Sequence, residues 1–315
     1  MALSHWTGRI DAEDGAAGRR WHQLVQALAE GAIPDKEKAI IFVGFPVDEG
    51  VRRNQGRPGA AQGPAAIRRA CASLPDHFPA GTALYDAGDV GIGEDNLPGI
   101  QAALGRQVAA LIDRSAFPVV LGGGHEVAWG TFQGVLAAAP GARIGIVNVD
   151  AHFDLRRAVD GPTSGTGFYQ MAEACRERNL PFRYCCLGIQ RAGNTRALFE
   201  RADSLGVQYR LAEALSREIA FEAEHSLRTF VDASDLLYLS VDLDAFHASY
   251  APGVSAPNAL GLTPTQVLPL LQSVMASGKV AALDIAELNP AYDIDGRTAR
   301  LAASLLFELL TPPKQ

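Results

Sequence analysis

The chain has 315 residues, 48% hydrophobic and 20% charged, which is enough apolar material for a large buried core. A formal net charge of −7 argues against a nucleic-acid or anionic-membrane surface. No apolar run reaches the roughly 18 residues of a membrane span, and the four cysteines contain no CxxC pair and read as reduced thiols in or near the core. Because Met1-Ala2-Leu3-Ser4-His5-Trp6 also lacks the basic-then-apolar order of a signal peptide, the expected location is cytoplasmic, with no membrane or nucleic-acid partner.

In chain order, the apolar runs at 39–45, 83–86, 118–121, 144–149, 183–187, 236–242 and 280–285 predict strands. Most are continuous rather than alternating, as expected of strands buried on both faces. Between them, residues 63–73, 99–115, 127–138, 195–204, 263–276 and 297–310 predict helices. Gly63-Pro64 opens the first, and Thr263-Pro264 supplies an N-cap followed by proline at the first helical position. The alternation predicts an α/β fold, a mostly parallel sheet covered by helices on both sides. No linker or break in composition divides the chain, so residues 1–315 are read as a single domain.

Ligands of such sheets bind beyond the carboxyl ends of the strands. Four segments bring polar residues there: Gly122-Gly123-Gly124-His125-Glu126, Asp150-Ala151-His152-Phe153-Asp154, Asp242-Leu243-Asp244 and Glu287 after Leu283-Asp284-Ile285-Ala286. Strand alternation would turn Asp150, His152 and Asp154 to one point, and Asp242 with Asp244 likewise. Four carboxylates and two imidazoles in an apolar setting repel one another unless a cation is present. Oxygen ligands with imidazole and no thiolate suit manganese better than zinc or ferrous iron. Six protein ligands are too many for one open catalytic ion and suit two, sharing carboxylates and acidifying a bound water. The triple glycine lacks the GxxxxGK[ST] spacing, which excludes a phosphate loop.

These motifs, with Gly63-Pro64-Ala65-Ala66-Ile67-Arg68, resemble the arginase–agmatinase family of binuclear manganese ureohydrolases in order and spacing over most of the chain. The resemblance implies an arginase-like three-layer α/β/α fold around an eight-stranded parallel sheet, and two Mn2+ per subunit. It implies that His125, Asp150, Asp154 and Asp242 hold one ion and Asp150, His152, Asp242 and Asp244 the other, with Asp150 and Asp242 bridging. It makes Glu287 the residue that grips the substrate's amidine or guanidine nitrogens, and Ser164 a contact to substrate carboxylate. A homo-oligomer, trimer or hexamer, is expected on the same ground.

One stretch departs from the arginase pattern. Where arginases carry a proton-transfer histidine after a Ser-Gly pair, this chain reads Thr163-Ser164-Gly165-Thr166-Gly167-Phe168, and a phenylalanine cannot shuttle protons. The pattern is instead similar to the formimidoylglutamase branch, as are the stretches from Asp48 to Arg57, Gly188 to Thr195 and Ala251 to Pro257. That branch hydrolyses N-formimidoyl-L-glutamate to L-glutamate and formamide with a hydroxide activated by two manganese ions, a step of histidine breakdown. A substrate with two carboxylates calls for cationic receptors. Arg156, two residues past Asp154, is the first candidate, and Arg53, Arg57 and Arg191 are candidates for the second carboxylate. Asp154 is read as taking the proton to the departing nitrogen while Glu287 holds the amidinium. The alternatives are a urea-releasing enzyme acting on a guanidino acid such as guanidinobutyrate, on agmatine or on arginine. A non-catalytic metal-binding protein of the same fold would have lost a ligand or Glu287, and none is lost here.

Overall fold

The computed structural model describes residues 2–28, 39–91, 96–215 and 220–311. Its centre is one sheet whose described strands are β1 (Val25–Ala27), β2 (Ala39–Phe45), β3 (Ala83–Asp89), β4 (Phe117–Gly122), β5 (Ile144–Val149), β6 (Arg183–Ile189), β7 (Gln208–Leu211), β8 (Leu236–Asp242) and β9 (Val280–Ala286). All pairings are parallel, in the order β1-β3-β2-β4-β9-β8-β5-β6-β7. The sheet therefore has nine strands among the described residues, not the eight that the resemblance implies. Neither edge strand, β1 nor β7, was predicted, for neither is a continuous apolar run: β1 is three residues long and β7 reads Gln-Tyr-Arg-Leu.

Pleating divides the strand side chains between two cores. Phe42, Leu121, Val149 and Val241 face the helices Gly63–Cys71, Pro264–Ala276 and Arg297–Leu310. Ile41, Val43, Val120 and Ile146 face Leu97–Ile112, Val127–Ala138 and Gly167–Glu177. The expected helix openings recur: Pro64 lies in the first turn of its helix, and Thr263 caps Pro264–Ala276 through a reciprocal capping box with Gln266. All four cysteines are free and buried. No described helix is long and apolar enough to cross a membrane.

The topology places the site. From β5 the chain winds outward through β6 to β7, whereas β8, on the other side of β5, leads to β9 in the opposite direction. That reversal opens a crevice at the carboxyl ends of β5 and β8, where open α/β sheets bind ligands. The neighbouring strands end level with them, since Val149 pairs with Val241 and Asp242 with Ala286. Four adjacent strands, β4, β9, β8 and β5, thus release His125, Glu287, the Asp242 pair and the Asp150 triplet onto one edge.

Candidate metal centre and substrate cavity

His125 leaves β4 through three glycines, and the middle one shows why. A Cβ on Gly123 would lie 1.9 Å from the carbonyl oxygen of Val47. The bare backbone comes close enough for Gly123 N–H to donate to Phe45 O, Gly124 N–H to Val47 O, and Glu287 N–H to Gly123 O. His125 is thereby pinned between the ends of β2 and β9, with its own N–H donating to Glu287 Oε1 at 2.9 Å.

The imidazole is oriented from behind. His125 Nε2 lies 3.0 Å from Ser240 Oγ, whose hydroxyl donates to Asp284 Oδ1 at 2.6 Å, and Tyr238 donates to Asp284 Oδ2 at 2.5 Å. Because the serine proton is committed to Asp284, Ser240 Oγ accepts from Nε2–H, and the lone pair resides on Nδ1. Around Nδ1 stand Asp154 Oδ2 at 2.9 Å, Asp242 Oδ2 at 3.0 Å and Asp150 Oδ2 at 3.1 Å. This buried nitrogen makes no hydrogen bond among the described residues. A lone pair facing three carboxylate oxygens is a site for a cation.

The second cluster lies beside the first. His152 Nδ1 is 3.0 Å from Asp244 Oδ2 and 3.6 Å from Asp150 Oδ1. The ligand atoms of His125, Asp150, Asp154 and Asp242 all fall within 4.8 Å of one another, as do those of Asp150, His152 and Asp244. Asp150 is common to both groups. Asp242 falls only in the first group in this geometry.

Without a cation such a cluster can lower its energy only by holding protons. Burial, then the charge of Asp150, pushes Asp154 up, and burial with Asp244 and Asp150 pushes Asp242 well above the usual carboxylate range. Burial opposes a proton on His125, but the facing carboxylates, Asp242 first, hold it well above the ordinary histidine value. Protons and metal ions compete for the same atoms, so the donor set fits divalent cations.

Convergence does not come from strand pleating, as the sequence reading had it. β5 stops at Val149, and β8 ends with Asp242. Each aspartate instead folds the following backbone onto itself: Asp150 Oδ1 accepts His152 N–H at 2.7 Å, as Asp242 Oδ1 accepts that of Asp244. These are Asx turns. Asp154 then turns with φ of 48° and Glu287 with φ of 69°. Both are in the left-handed region, uncommon for residues with a side chain and frequent at functional sites.

The clusters form the floor of a cavity of roughly 310 Å³. Of the expected substrate contacts, Arg156, Ser164, Arg57 and Glu287 line it. Arg156 is solvent-facing, has no ion pair among the described residues, and is tied by its N–H to Gly165 O at 2.9 Å. Arg57 also reaches the cavity, but its guanidinium donates to Ser255 O and Val254 O and lies 4.0 Å over the Tyr292 ring. Arg53 does not line the cavity: it pairs with Glu49 at 2.8 Å and turns toward Pro162 O. Arg191 faces a separate groove beside His247. Tyr169 and Gln170 line yet another. Phe168 is fully buried behind the floor, 5.4 Å from the His125 ring and stacked on Tyr184. Sequence reasoning passed over Asn54, Ser255 and Asn194, which line the cavity and fall within or beside stretches it had singled out.

Glu287 is 4% exposed, and its Oε2 has no hydrogen-bond partner. Burial, with Glu126 and Asp244 nearby, pushes its carboxyl up to about 8. A carboxyl buried in this way is held ionised at neutral pH when a cationic donor from the ligand faces it.

Comparison with known proteins agrees with this geometry. A sequence model described as the arginase family matches residues 38–311. A formimidoylglutamase of Aromatoleum aromaticum is 47% identical over 318 residues, spanning 96% of this chain and 91% of that protein. The crystal structure of Trypanosoma cruzi formiminoglutamase with Mn2+ superposes with a TM-score of 0.81 at 27% identity, over 93% of this chain and 97% of that one. Bacillus subtilis formimidoylglutamase, 23% identical, shares the fold with a TM-score of 0.83 over 96% of this chain and 93% of that one.

Proposed function

The chain belongs to the arginase family, and from that membership we propose that it hydrolyses N-formimidoyl-L-glutamate to L-glutamate and formamide with a pair of manganese ions, as a step of histidine breakdown. One observation carries the reading. A cavity whose floor is the two histidine–carboxylate clusters also holds Arg156 and the buried carboxyl of Glu287, and among the described residues Arg156 has no ion pair and Glu287 Oε2 no hydrogen-bond partner. That combination fits a ligand with carboxylate at one end and a planar cation at the other. Bound manganese would supply a water ionised near neutral pH and positive charge to offset the charge developing on the amidine.

The chain's own residues do the rest. Glu287 Oε2 receives the amidinium N–H groups and sets the amidine carbon over the metal floor. Arg156 and the Ser164 hydroxyl hold a glutamate carboxylate, with Arg57 beside them. Asp154 is the carboxylate of the clusters most open to the cavity, its side chain 12% exposed against 0% for Asp150, 3% for Asp242 and 6% for Asp244. It takes the proton of the attacking water and delivers it to the glutamate nitrogen as the bond from that nitrogen to the formimidoyl carbon breaks.

Manganese-loaded protein given N-formimidoyl-L-glutamate is expected to release formamide and glutamate in equal amounts. Arginine, agmatine and guanidinobutyrate run in parallel should yield no comparable urea, and rapid urea from any of them would replace the substrate proposed. Arg156→Ala is expected to raise KM about 10- to 100-fold with a smaller change in kcat, the worth of a hydrogen-bonded charge, and Arg156→Lys to recover part of it. Steady-state kinetics check this; an unchanged KM assigns the carboxylate elsewhere.

A further inference from the structure

The two candidate histidine ligands are held in different ways. His125 is anchored through its ring, because Nε2 meets Ser240 and, through it, Asp284. His152 is not: its ring meets Asp244 and Asp150 through Nδ1, its side chain is 30% exposed, and Nε2 has no protein hydrogen bond among the described residues. A metal-ligating imidazole normally takes its orientation from a bond to its second nitrogen. Here the orientation has to come from the backbone on either side of the residue.

That backbone is clamped by one side chain. Asn194, 7% exposed, accepts the N–H of Phe153 at 3.0 Å and donates to Ala151 O at 2.9 Å and to Gln190 O at 2.8 Å. It grips the residues immediately before and after His152. Gln190 N–H joins it on Ala151 O at 2.9 Å. The residue before Asn194 supplies a stop for the ring: a Cβ on Gly193 would lie 3.1 Å from His152 Nε2 and Cδ2. Segment 190–194 is thus a template onto which the ligand loop is laid, with a glycine where the imidazole rests.

We propose that Asn194 is the positioning residue for the metal ion on the His152 side and that Gly193 sets the resting plane of the His152 ring. The inference rests on the reading that the cluster holds two ions. Neither residue belongs to the His125 group, whose histidine is anchored separately through Ser240, so the ion on that side is expected to depend on them less.

The experiment is a Mn2+ titration of metal-free protein followed by electron paramagnetic resonance. Loss of the free-ion signal counts bound ions, and the exchange-coupled signal reports a pair. Wild type is expected to bind two ions. Asn194→Ala is expected to bind the first ion within about threefold of wild type and the second about 10- to 100-fold more weakly, the range typical of a lost outer-shell contact. Its coupled signal should appear only at correspondingly higher Mn2+. Gly193→Ala, which pushes on the ring and leaves the clamp intact, should show the same split. If Asn194→Ala fails to fold, the isosteric Asn194→Asp, which keeps the acceptor for Phe153 and loses both donors, carries the same expectation. Unchanged second-ion affinity, or equal weakening of both ions, overturns the inference while leaving the two-ion reading standing. A wild type that binds a single ion overturns both.

Discussion

Asp150→Asn is expected to lower kcat by at least about 10³-fold, because it removes charge from both metal clusters at once. Asp150 is fully buried and common to the two groups. The substitution is gentle to the fold. Asparagine keeps the oxygen that accepts His152 N–H, so the Asx turn survives. The new amide would face Asn148 Nδ2, which now donates to Asp150 Oδ2 at 3.0 Å. Asn148 Oδ1 has no partner, so rotating that amide restores a bond. In metal-free protein burial opposes the Asp150 charge, but His125 and His152 hold its carboxyl below the usual carboxylate range, so the charge stabilises the fold at neutral pH and metal-free Asp150→Asn should melt below metal-free wild type. Mn2+ should raise the melting temperature of wild type and have little effect on the variant, since an ion stabilises only the state that binds it. Calorimetry with and without Mn2+ checks both arms. A variant that gains as much from Mn2+ as wild type does would show that Asp150 is a structural acid and not a bridging ligand.

The two histidine–carboxylate clusters were legible in the sequence because parallel strands buried on both faces leave continuous apolar runs, and polar residues at the ends of such runs are conspicuous. The manner of their convergence was not. A two-residue spacing suits both a pleat and an Asx turn, and only the observed end of β5 at Val149 decides between them. The helix Gly167–Glu177 has a readable stripe in buried Phe168, Met171, Ala172 and Cys175, as does Ala220–Asp232 in Ala223, Leu227, Phe230 and Val231, yet neither was predicted. Small and charged residues between those positions dilute the pattern.

The arginines were the least legible, for a physical reason. A guanidinium is placed by whatever acceptors tertiary structure brings to it, and Arg57 is held by carbonyls at Val254 and Ser255, far away in the chain. Arg53 is the exception, since its pairing with Glu49 at i,i+4 was there to be read. The stretch from Gly188 to Thr195 stood out, but the role of Asn194 within it did not, because a side chain that clamps backbone does so without any recurring spacing.

Glu287→Gln should lower kcat/KM by about 10³-fold, equivalent to about 4 kcal/mol, as expected when one partner of a buried, hydrogen-bonded charge pair is neutralised. Glutamine can keep the oxygen that accepts His125 N–H, so the turn at φ of 69° persists. What changes is the other atom: an amide NH2 replaces the free Oε2 and points a donor at the donors of the amidinium. Activity alone would not separate this from a disturbed metal floor, because Glu287 also touches the His125 backbone. Product binding does separate them. Glutamate carries the carboxylates of the substrate and lacks the amidine, so its inhibition constant should stay within about threefold of wild type in Glu287→Gln and weaken about 10- to 100-fold in Arg156→Ala. Mn2+ stoichiometry should be unaltered in both. If Glu287→Gln loses glutamate as readily as substrate, Glu287 is supporting the whole cavity, and recognition of the amidine must be sought elsewhere on the floor.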